Sequence, residues 1–168
     1  MQPRIIELVV NGMQRQFLVR PGTSLLLALR ETLGLTSAKR GCANGSCAAC
    51  TVLLDGKPVL SCLVPVETID GSAVRTLEGL TPADGSLDEL QEAFVDGFAT
   101  QCGFCTPGML VAAEALLAEN PDPTRDEVVR AISGNVCRCT GYTAIIDAIL
   151  DAAARRREPA ATTTKAGS

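Results

Sequence analysis

The chain has 168 residues, of which 46% are apolar and only 3% aromatic, and it carries a formal net charge of −4 with no histidine. This length predicts one or two domains with aliphatic, alanine-rich cores. The acidic balance argues against nucleic-acid partners and a polybasic membrane anchor, and no apolar run is long enough to span a bilayer. Without histidine, Rieske-type ligation, Cys2His2 zinc fingers and Ser-His-Asp or Cys-His catalysis are excluded within this chain.

The N-terminal half has the pattern of two β-hairpins and one helix. Asn11-Gly12 is a strong two-residue hairpin signal between β-branched, alternating segments. Leucines on one face predict a helix over residues 25–33, which Thr23 or Ser24 can cap. The predicted strands are residues 4–10, 13–19, 51–54, 59–64 and 73–76, and the fourth of them places Cys62 on a strand. The pattern predicts a small β-grasp-like sheet.

The C-terminal half has the pattern of four helices. Ser86 to Glu89 and Thr124 to Glu127 are predicted capping boxes, and Pro107 lies at a predicted first helical turn. The predicted helices cover residues 86–99, 108–118, 125–132 and 143–157. Because cysteines lie in the loops between them, a small four-helix bundle holding a bound group at one end is predicted. The predicted class is therefore α+β, with domains over residues 1–77 and 78–157 and a disordered tail over 158–168.

Four of the eight cysteines form a first set, with the spacing C-x4-C-x2-C followed by one more cysteine after a hairpin. These are Cys42, Cys47, Cys50 and Cys62. This spacing is typical of plant-type [2Fe–2S] ferredoxins. Gly41 and Gly45 suit a loop that must turn tightly around a cluster. Structural zinc and disulfides are the alternatives that the spacing leaves open.

The other four cysteines form two close pairs, each just before a predicted helix. They are Cys102, Cys105, Cys137 and Cys139. Free amides and the positive end of the helix dipole stabilise thiolate charge at such places. Zinc is again the alternative, although C-x-C suits a zinc ribbon poorly. The N-terminal residues show no signal-peptide pattern, so we expect a cytoplasmic protein with reduced thiols, for which metal binding is the better use.

Three motifs in this order resemble those of a known family, the iron–sulfur small subunits of the xanthine oxidase family of molybdenum hydroxylases. Similar subunits belong to carbon monoxide dehydrogenase and nicotinate dehydrogenase. The resemblance covers about residues 4–157 and disfavours zinc at both sites. The motifs are GCANGSCAAC at 41–50, QCGFCTPG at 101–108 and NVCRCTGY at 135–142.

The resemblance implies a plant-type ferredoxin domain that carries the first cluster and a helical domain that carries the second. It also implies that the second cluster lies beside a molybdopterin held by a large partner subunit, with Gln101 and Cys139 in contact with the pterin. The alternative for Gln101 is a hydrogen bond that caps its own loop. A medium partner subunit would carry FAD.

One position departs from the family pattern. The family usually has glycine after the second cysteine of the first loop, where this chain has Ala48. If that position needs a positive φ, alanine costs about 1 kcal/mol. The change bears on the potential of the first cluster and not on its presence.

The function that the resemblance implies is electron transfer within a multisubunit molybdenum-dependent oxidoreductase. The two [2Fe–2S] clusters would pass electrons from molybdopterin to FAD. The chain supplies no catalytic residue and is not expected to be catalytic alone. A free-standing two-cluster ferredoxin is the alternative.

Overall fold

A computed structural model describes residues 2–82 and 84–157. The tail that was predicted to be disordered, residues 158–168, lies outside the described residues. Within them the chain forms a mixed α+β structure, with a sheet in the N-terminal half and helices in the C-terminal half. No described helix combines the length and the apolar composition that crossing a bilayer requires.

The described strands form one five-stranded sheet in the order β2-β1-β5-β3-β4. The two predicted hairpins, β1–β2 and β3–β4, are both present and antiparallel. The last strand enters between them, parallel to β1 and antiparallel to β3. The strands are β1 (Arg4–Val10), β2 (Met13–Val19), β3 (Thr51–Leu54), β4 (Lys57–Leu60) and β5 (Ala73–Arg75).

The helix of the N-terminal half lies where the leucine pattern predicts it, but its winding changes along its length. Helix α1 (Leu25–Leu27) passes directly into a π-helical segment, Ala28–Thr32. The Ser24 hydroxyl accepts a hydrogen bond from the Leu27 amide at the start of α1. The buried leucines of this helix pack with the inward face of β1 in one apolar core.

The predicted bounds of the fourth strand, residues 59–64, are wrong, because β4 covers Lys57–Leu60. The Ser61 hydroxyl donates to the carbonyl oxygen of Cys50 over 2.7 Å. The Leu63 amide donates to the carbonyl oxygen of Leu60 over 2.9 Å, which closes a turn. Cys62 therefore lies in this turn and not on a strand.

The C-terminal half contains the predicted helices and one short helix that the sequence did not predict. No helix was predicted over residues 77–80, but Leu77–Leu80 forms a helical turn. The helices are α2 (Leu77–Leu80), α3 (Glu89–Asp96), α4 (Thr106–Glu119), α5 (Arg125–Ile132) and α6 (Thr143–Arg157).

Helix α3 begins later than predicted. Ser86 was expected to cap it, but both the amide and the hydroxyl of Ser86 donate to the carboxylate of Asp84. The capping box is formed instead by Asp88 and Gln91. The predicted box at the start of α5, formed by Thr124 and Glu127, is confirmed.

The turn that follows helix α3 contains Phe98, which has φ +49° and is 84% exposed. The Ala99 amide donates to the Phe94 carbonyl, and the Phe98 amide donates to the Val95 carbonyl. This is the Schellman pattern, in which the left-handed position is usually taken by glycine or asparagine. A phenylalanine there is both strained and exposed to solvent.

Helix α4 joins the two halves of the molecule. It is apolar nearly all round, as predicted, and packs against α5, α3 and strand β3. Val111 of α4, Leu53 of β3 and Leu80 of α2 form a small buried cluster between the two larger cores. Helix α6 packs against α3 and α5. The loop that precedes α4 is thereby held against the sheet half.

Candidate metal centres

The first cysteine set lies in the irregular segment between α1 and β3 and in the turn after β4. The Cys42 sulfur accepts hydrogen bonds from the amides of Ser46, at 3.2 Å, and Asn44, at 3.5 Å. The Cys47 thiol contributes to the lowered pKa of Cys42, and the Cys50 and Cys42 thiols contribute to the raised pKa of Cys62. The four thiols of the first set therefore lie near one another.

The second set lies in the loops before α4 and α6, as predicted. The sulfurs of Cys102 and Cys139 are 3.5 Å apart. The Cys137 thiol contributes to the raised pKa of Cys105, so these two thiols lie near each other, and Cys137 is 9% exposed. One pair therefore faces solvent, since Cys102 and Cys139 are both exposed, and the other pair is turned inward.

The contact between the Cys102 and Cys139 sulfurs bears on the choice between a two-iron centre and a single metal ion. A tetrahedral zinc site with four thiolates holds all its sulfurs about 3.8 Å apart around one point. Among residues 2–82 and 84–157, no three cysteine or acidic side chains are gathered closely enough to hold one ion. A [2Fe–2S] centre takes its four thiolates as one pair for each iron. The residues present therefore fit two [2Fe–2S] centres better than two zinc ions.

Each set combines a thiol that ionises easily with one that does not. The Asn44 amide, followed by the Ser46 hydroxyl, lowers the pKa of Cys42 to about 6. Burial raises the pKa of Cys62 to about 11 and that of Cys105 to about 12. A metal centre must displace the proton from such buried thiols when it binds.

Cys137 shows the balance of these effects in one group. Burial acts to raise its pKa, but hydrogen bonds from the Thr140 hydroxyl and from nearby amides outweigh burial and lower the pKa to about 7. The Thr140 hydroxyl lies 3.2 Å from the Cys137 sulfur. The Cys137 amide donates to the Tyr142 hydroxyl over 2.8 Å, which fixes the backbone of this loop.

Two glycines of the first loop allow close packing around the thiols. A Cβ atom at Gly41 would lie 2.7 Å from the Cys47 sulfur and 3.6 Å from a ring carbon of Phe104. Gly45 has φ +86°, and a Cβ atom there would lie 2.6 Å from a methyl carbon of Leu63. Gly45 therefore has the turn conformation expected of it, whereas Gly41 allows close packing against the Cys47 sulfur without a positive φ.

The two cysteine sets lie in loops that contact one another, which the sequence did not reveal. The Val136 amide donates to the carbonyl oxygen of Cys47 over 3.0 Å. The Asn135 side chain donates to the carbonyl oxygen of Ala48 over 3.2 Å. Gly108 lies so close to this point that a Cβ atom on it would be 2.6 Å from the Ala48 oxygen.

Ala48 has the left-handed conformation that the family pattern suggested, with φ +49°. It is 4% exposed. Its carbonyl oxygen also accepts hydrogen bonds from the amide and the hydroxyl of Thr51, at 3.1 and 2.6 Å. Alanine is thus tolerated at a position where glycine is free of strain.

Gln101, proposed from the resemblance as a pterin contact, lies at the surface beside Cys102. Within the described residues its side-chain amide makes no hydrogen bond, and its role stays a prediction. The neighbouring hydroxyls of Thr100 and Thr106 pair with each other at 3.2 Å. Gln101 and the exposed pair Cys102 and Cys139 therefore line one surface.

Comparisons with known proteins agree with this arrangement. Residues 8–79 match the family described as 2Fe-2S iron-sulfur cluster binding domain, and residues 76–150 match the [2Fe-2S] binding domain family. The nicotinate dehydrogenase small FeS subunit of Eubacterium barkeri is 49% identical, over 86% of this chain and 91% of its own length. The nicotine 6-hydroxylase small subunit of Paenarthrobacter nicotinovorans is 50% identical, over 88% of each chain.

This chain belongs to the iron–sulfur small subunits of the xanthine oxidase family of molybdenum hydroxylases. A chain in the crystal structure of quinoline 2-oxidoreductase from Pseudomonas putida 86 has the same fold. Its TM-score is 0.88 and its identity 48%, over 95% of this chain and 100% of that one. Members of this family transfer electrons as subunits of oxidoreductases, and the two matched domains account for two [2Fe–2S] clusters in this chain.

Proposed function

We propose that this chain carries electrons between molybdopterin on a large partner subunit and FAD on a medium partner subunit. In this proposal Cys42, Cys47, Cys50 and Cys62 hold one [2Fe–2S] cluster, and Cys102, Cys105, Cys137 and Cys139 hold the other. When bound, each cluster accepts and releases one electron at a time. The protein binds the clusters, fixes their separation and sets their surroundings.

The arrangement of the thiols supports this ligand assignment. The sulfurs of Cys102 and Cys139 are in contact, as two ligands of one iron would be, and the thiols of each set lie near enough to influence each other's pKa. Around the first centre, the amides of Asn44 and Ser46 point at a sulfur and offset its charge. Around the second, Thr140 does so. Hydrogen bonds of this kind stabilise the anionic thiolates.

The contact between the two loops is the observation that carries the electron-transfer proposal. The Val136 amide donates to the carbonyl oxygen of Cys47. Cys47 belongs to the first set, and Val136 directly precedes Cys137 of the second set. Phe104, between Cys102 and Cys105, packs close to Gly41. Loops in direct contact would hold the two centres near each other, as electron exchange between them requires, whereas two independent sites would need no such contact.

The exposed pair supports a proposal for which end of the chain faces molybdopterin. Cys102 and Cys139 reach the surface beside Gln101, while the partner thiols Cys105 and Cys137 are turned inward. We infer that Gln101 and Cys139 contact the pterin and that the loop of Cys42 faces the flavin subunit. The cytosol remains the proposed location of the complex.

We further propose that the boundary between the two cluster-binding units lies near residues 77 and 78. The second unit, residues 78–157, would form a four-helix bundle from α3, α4, α5 and α6. The mutual packing of these helices around one apolar core supports this division.

The test is the metal content of the complex purified with all its subunits. About four irons and about four labile sulfides are expected per copy of this chain, with two distinct EPR signals after reduction. A chain that holds zinc and gives no EPR signal would contradict the assignment. Expression of this chain alone separates the two functional hypotheses. A free ferredoxin would stay monodisperse with both clusters, whereas an obligate subunit would bind the large subunit when the two are expressed together.

A further inference from the structure

Asn135 is a buried polar residue whose side chain forms a hydrogen bond to a loop other than its own. It is 5% exposed and lies two residues before Cys137. Its side-chain nitrogen donates to the carbonyl oxygen of Ala48, 87 positions away. Within the described residues, its side chain makes no hydrogen bond to any cysteine of the second set. Asn135 therefore belongs by sequence to the loop of the second cysteine set, but its side chain binds the loop of the first set.

Two consecutive donors meet two consecutive acceptors at this point. The Asn135 side chain binds the Ala48 carbonyl at 3.2 Å, and the Val136 amide binds the Cys47 carbonyl at 3.0 Å. In a trans peptide group the C=O and N–H bonds point in opposite directions. Holding these two carbonyls towards the second loop therefore turns the amides of Ala48 and Ala49 away from it.

Those two amides lie in the interior without a protein acceptor. Ala48 and Ala49 are each 4% exposed, and among the described residues neither amide donates a hydrogen bond. Buried amides in folded proteins are nearly always paired. Both lie between Cys47 and Cys50, two of the proposed ligands of the first centre. The sulfurs of that centre are the acceptors that the chemistry of this position offers.

The local contacts of Ala48 do not replace Asn135. Thr51 also donates twice to the Ala48 oxygen, but it lies three residues further along the same loop. These bonds can move together with the loop. Asn135 is the side chain that ties the oxygen to the helical half, and the missing side chain of Gly108 leaves room for it, since a Cβ there would lie 3.1 Å from the Asn135 nitrogen.

We propose that Asn135 is a positioning residue for the first centre, although it belongs to the motif of the second. Its side-chain amide holds the segment from Cys47 to Cys50 so that the Ala48 and Ala49 amides face the first cluster. This inference rests on the ligand assignment of the proposed function. Amide dipoles that point at a cluster favour its more negative, reduced state. Loss of Asn135 should therefore lower the midpoint potential of the first centre and leave that of the second unchanged.

The experiment is an EPR-monitored redox titration of the whole complex carrying Asn135→Leu, which keeps the size of the side chain and removes the donor. Asn135→Ala is the second variant, in case the larger side chain hinders assembly. Thr140→Val is the matched control, because Thr140 contacts the Cys137 sulfur. Asn135 variants should shift or weaken only the first signal, and Thr140→Val should shift only the second.

The outcomes separate this inference from the proposed function. If the wild-type complex lacks two EPR-active centres, the proposed function fails. If it has both, but the Asn135 variants change neither centre, change both equally or affect only the second, the inference is wrong. Loss of both centres in both variants also counts against it, because a general role in folding then suffices. Loss of the first centre alone supports it.

Discussion

The backbone amide of Val136 donates to the carbonyl oxygen of Cys47, with 3.0 Å between nitrogen and oxygen. Val136 is the neighbour of Cys137 in the sequence. This hydrogen bond therefore links a cysteine of the first set to the residue next to a cysteine of the second set. It also fixes the distance between the loops. Local flexibility in either loop would otherwise change the separation of the two centres, on which the rate of electron exchange depends.

The order of the two centres can be tested with matched ligand variants. Cys47→Ser should damage the first centre and spare the second, because serine is a poor substitute for a thiolate ligand. In a single turnover, substrate should still reduce molybdenum and the second centre of this variant. Steady-state turnover with acceptors on the flavin side should collapse. Cys105→Ser should instead prevent reduction of the first centre by substrate.

Stopped-flow absorbance together with freeze-quench EPR would measure both variants. The proposed order would be wrong if the Cys47 variant, with intact molybdenum and an intact second centre, failed to reduce that second centre. Iron analysis of each variant is the control that shows which centre has been lost.

Gly108→Ala should destabilise the protein although it replaces glycine in a helix. The usual effect of that change inside a helix is a gain of about 0.5–1 kcal/mol. Here the new Cβ would lie 2.6 Å from the Ala48 oxygen, which is backbone and cannot move aside cheaply. Overpacking of this kind costs about 1–3 kcal/mol. A lower thermal unfolding temperature and a disturbed first EPR signal are expected.

Gly134→Ala is the matched control, because no atom lies within 4 Å of the Cβ that it would gain. Its unfolding temperature and both EPR signals should match those of the wild type. Equal stability of the Gly108 and Gly134 variants would show that the loop after Cys47 adapts to the added Cβ. The close approach of position 108 to Ala48 would then not affect the free energy of unfolding.

Phe98 offers a way to separate backbone strain from interaction with a partner. Asparagine adopts the left-handed conformation more easily than alanine, by about 1 kcal/mol. Phe98→Asn should therefore unfold at a higher temperature than Phe98→Ala at the same scan rate. Both variants lose the aromatic ring that is 84% exposed. If this ring contacts a partner subunit, both should weaken assembly equally in a titration of the subunits.

Equal unfolding temperatures for the two variants would mean that the loop relaxes and that the positive φ of Phe98 costs nothing. Unchanged assembly in both would place the ring outside the interface.

Gln101→Ala tests the pterin side. Both clusters should remain, while turnover should fall by about 2- to 13-fold, which corresponds to one neutral hydrogen bond of about 0.5–1.5 kcal/mol. Thr100→Ala is the control, because Thr100 is adjacent but pairs with Thr106. Unchanged kinetics and an unchanged molybdenum EPR signal in the Gln101 variant would remove Gln101 from the cofactor contact.

Local signals in the sequence predicted most of the fold. The turn at Asn11-Gly12 and the capping box of Thr124 with Glu127 are formed by neighbouring residues, and both are present as predicted. The prediction that Ser86 caps helix α3 was wrong because the amide and the hydroxyl of Ser86 bind the carboxylate of Asp84, two residues before it. Cys62 was placed on a strand because the apolar pattern continues past Leu60, although a turn closed by the Leu63 amide on the Leu60 carbonyl follows the strand there.

The sequence predicted which residues belong to each candidate site, but not how those residues are arranged in space. Cysteine spacing identifies which thiols can share a centre, and the resemblance to a family adds their order. Neither carries information about a contact between residues 87 positions apart, such as that of Asn135 with Ala48. The conformation of Ala48 was suggested only because the family has glycine there. The ligand roles of the eight cysteines and the cytosolic location stay predictions.

The packing around Ala48 restricts how relatives of this protein can exchange their halves. A chimaera that joins the sheet half of one relative to the helical half of another would bring together a loop and a helix that were selected separately. Unless positions 48, 108 and 135 are transferred as one set, the foreign helical half would either collide with the loop or lack the donor that ties the Ala48 carbonyl to it. Recombination within this family should therefore succeed mainly where these three positions already agree.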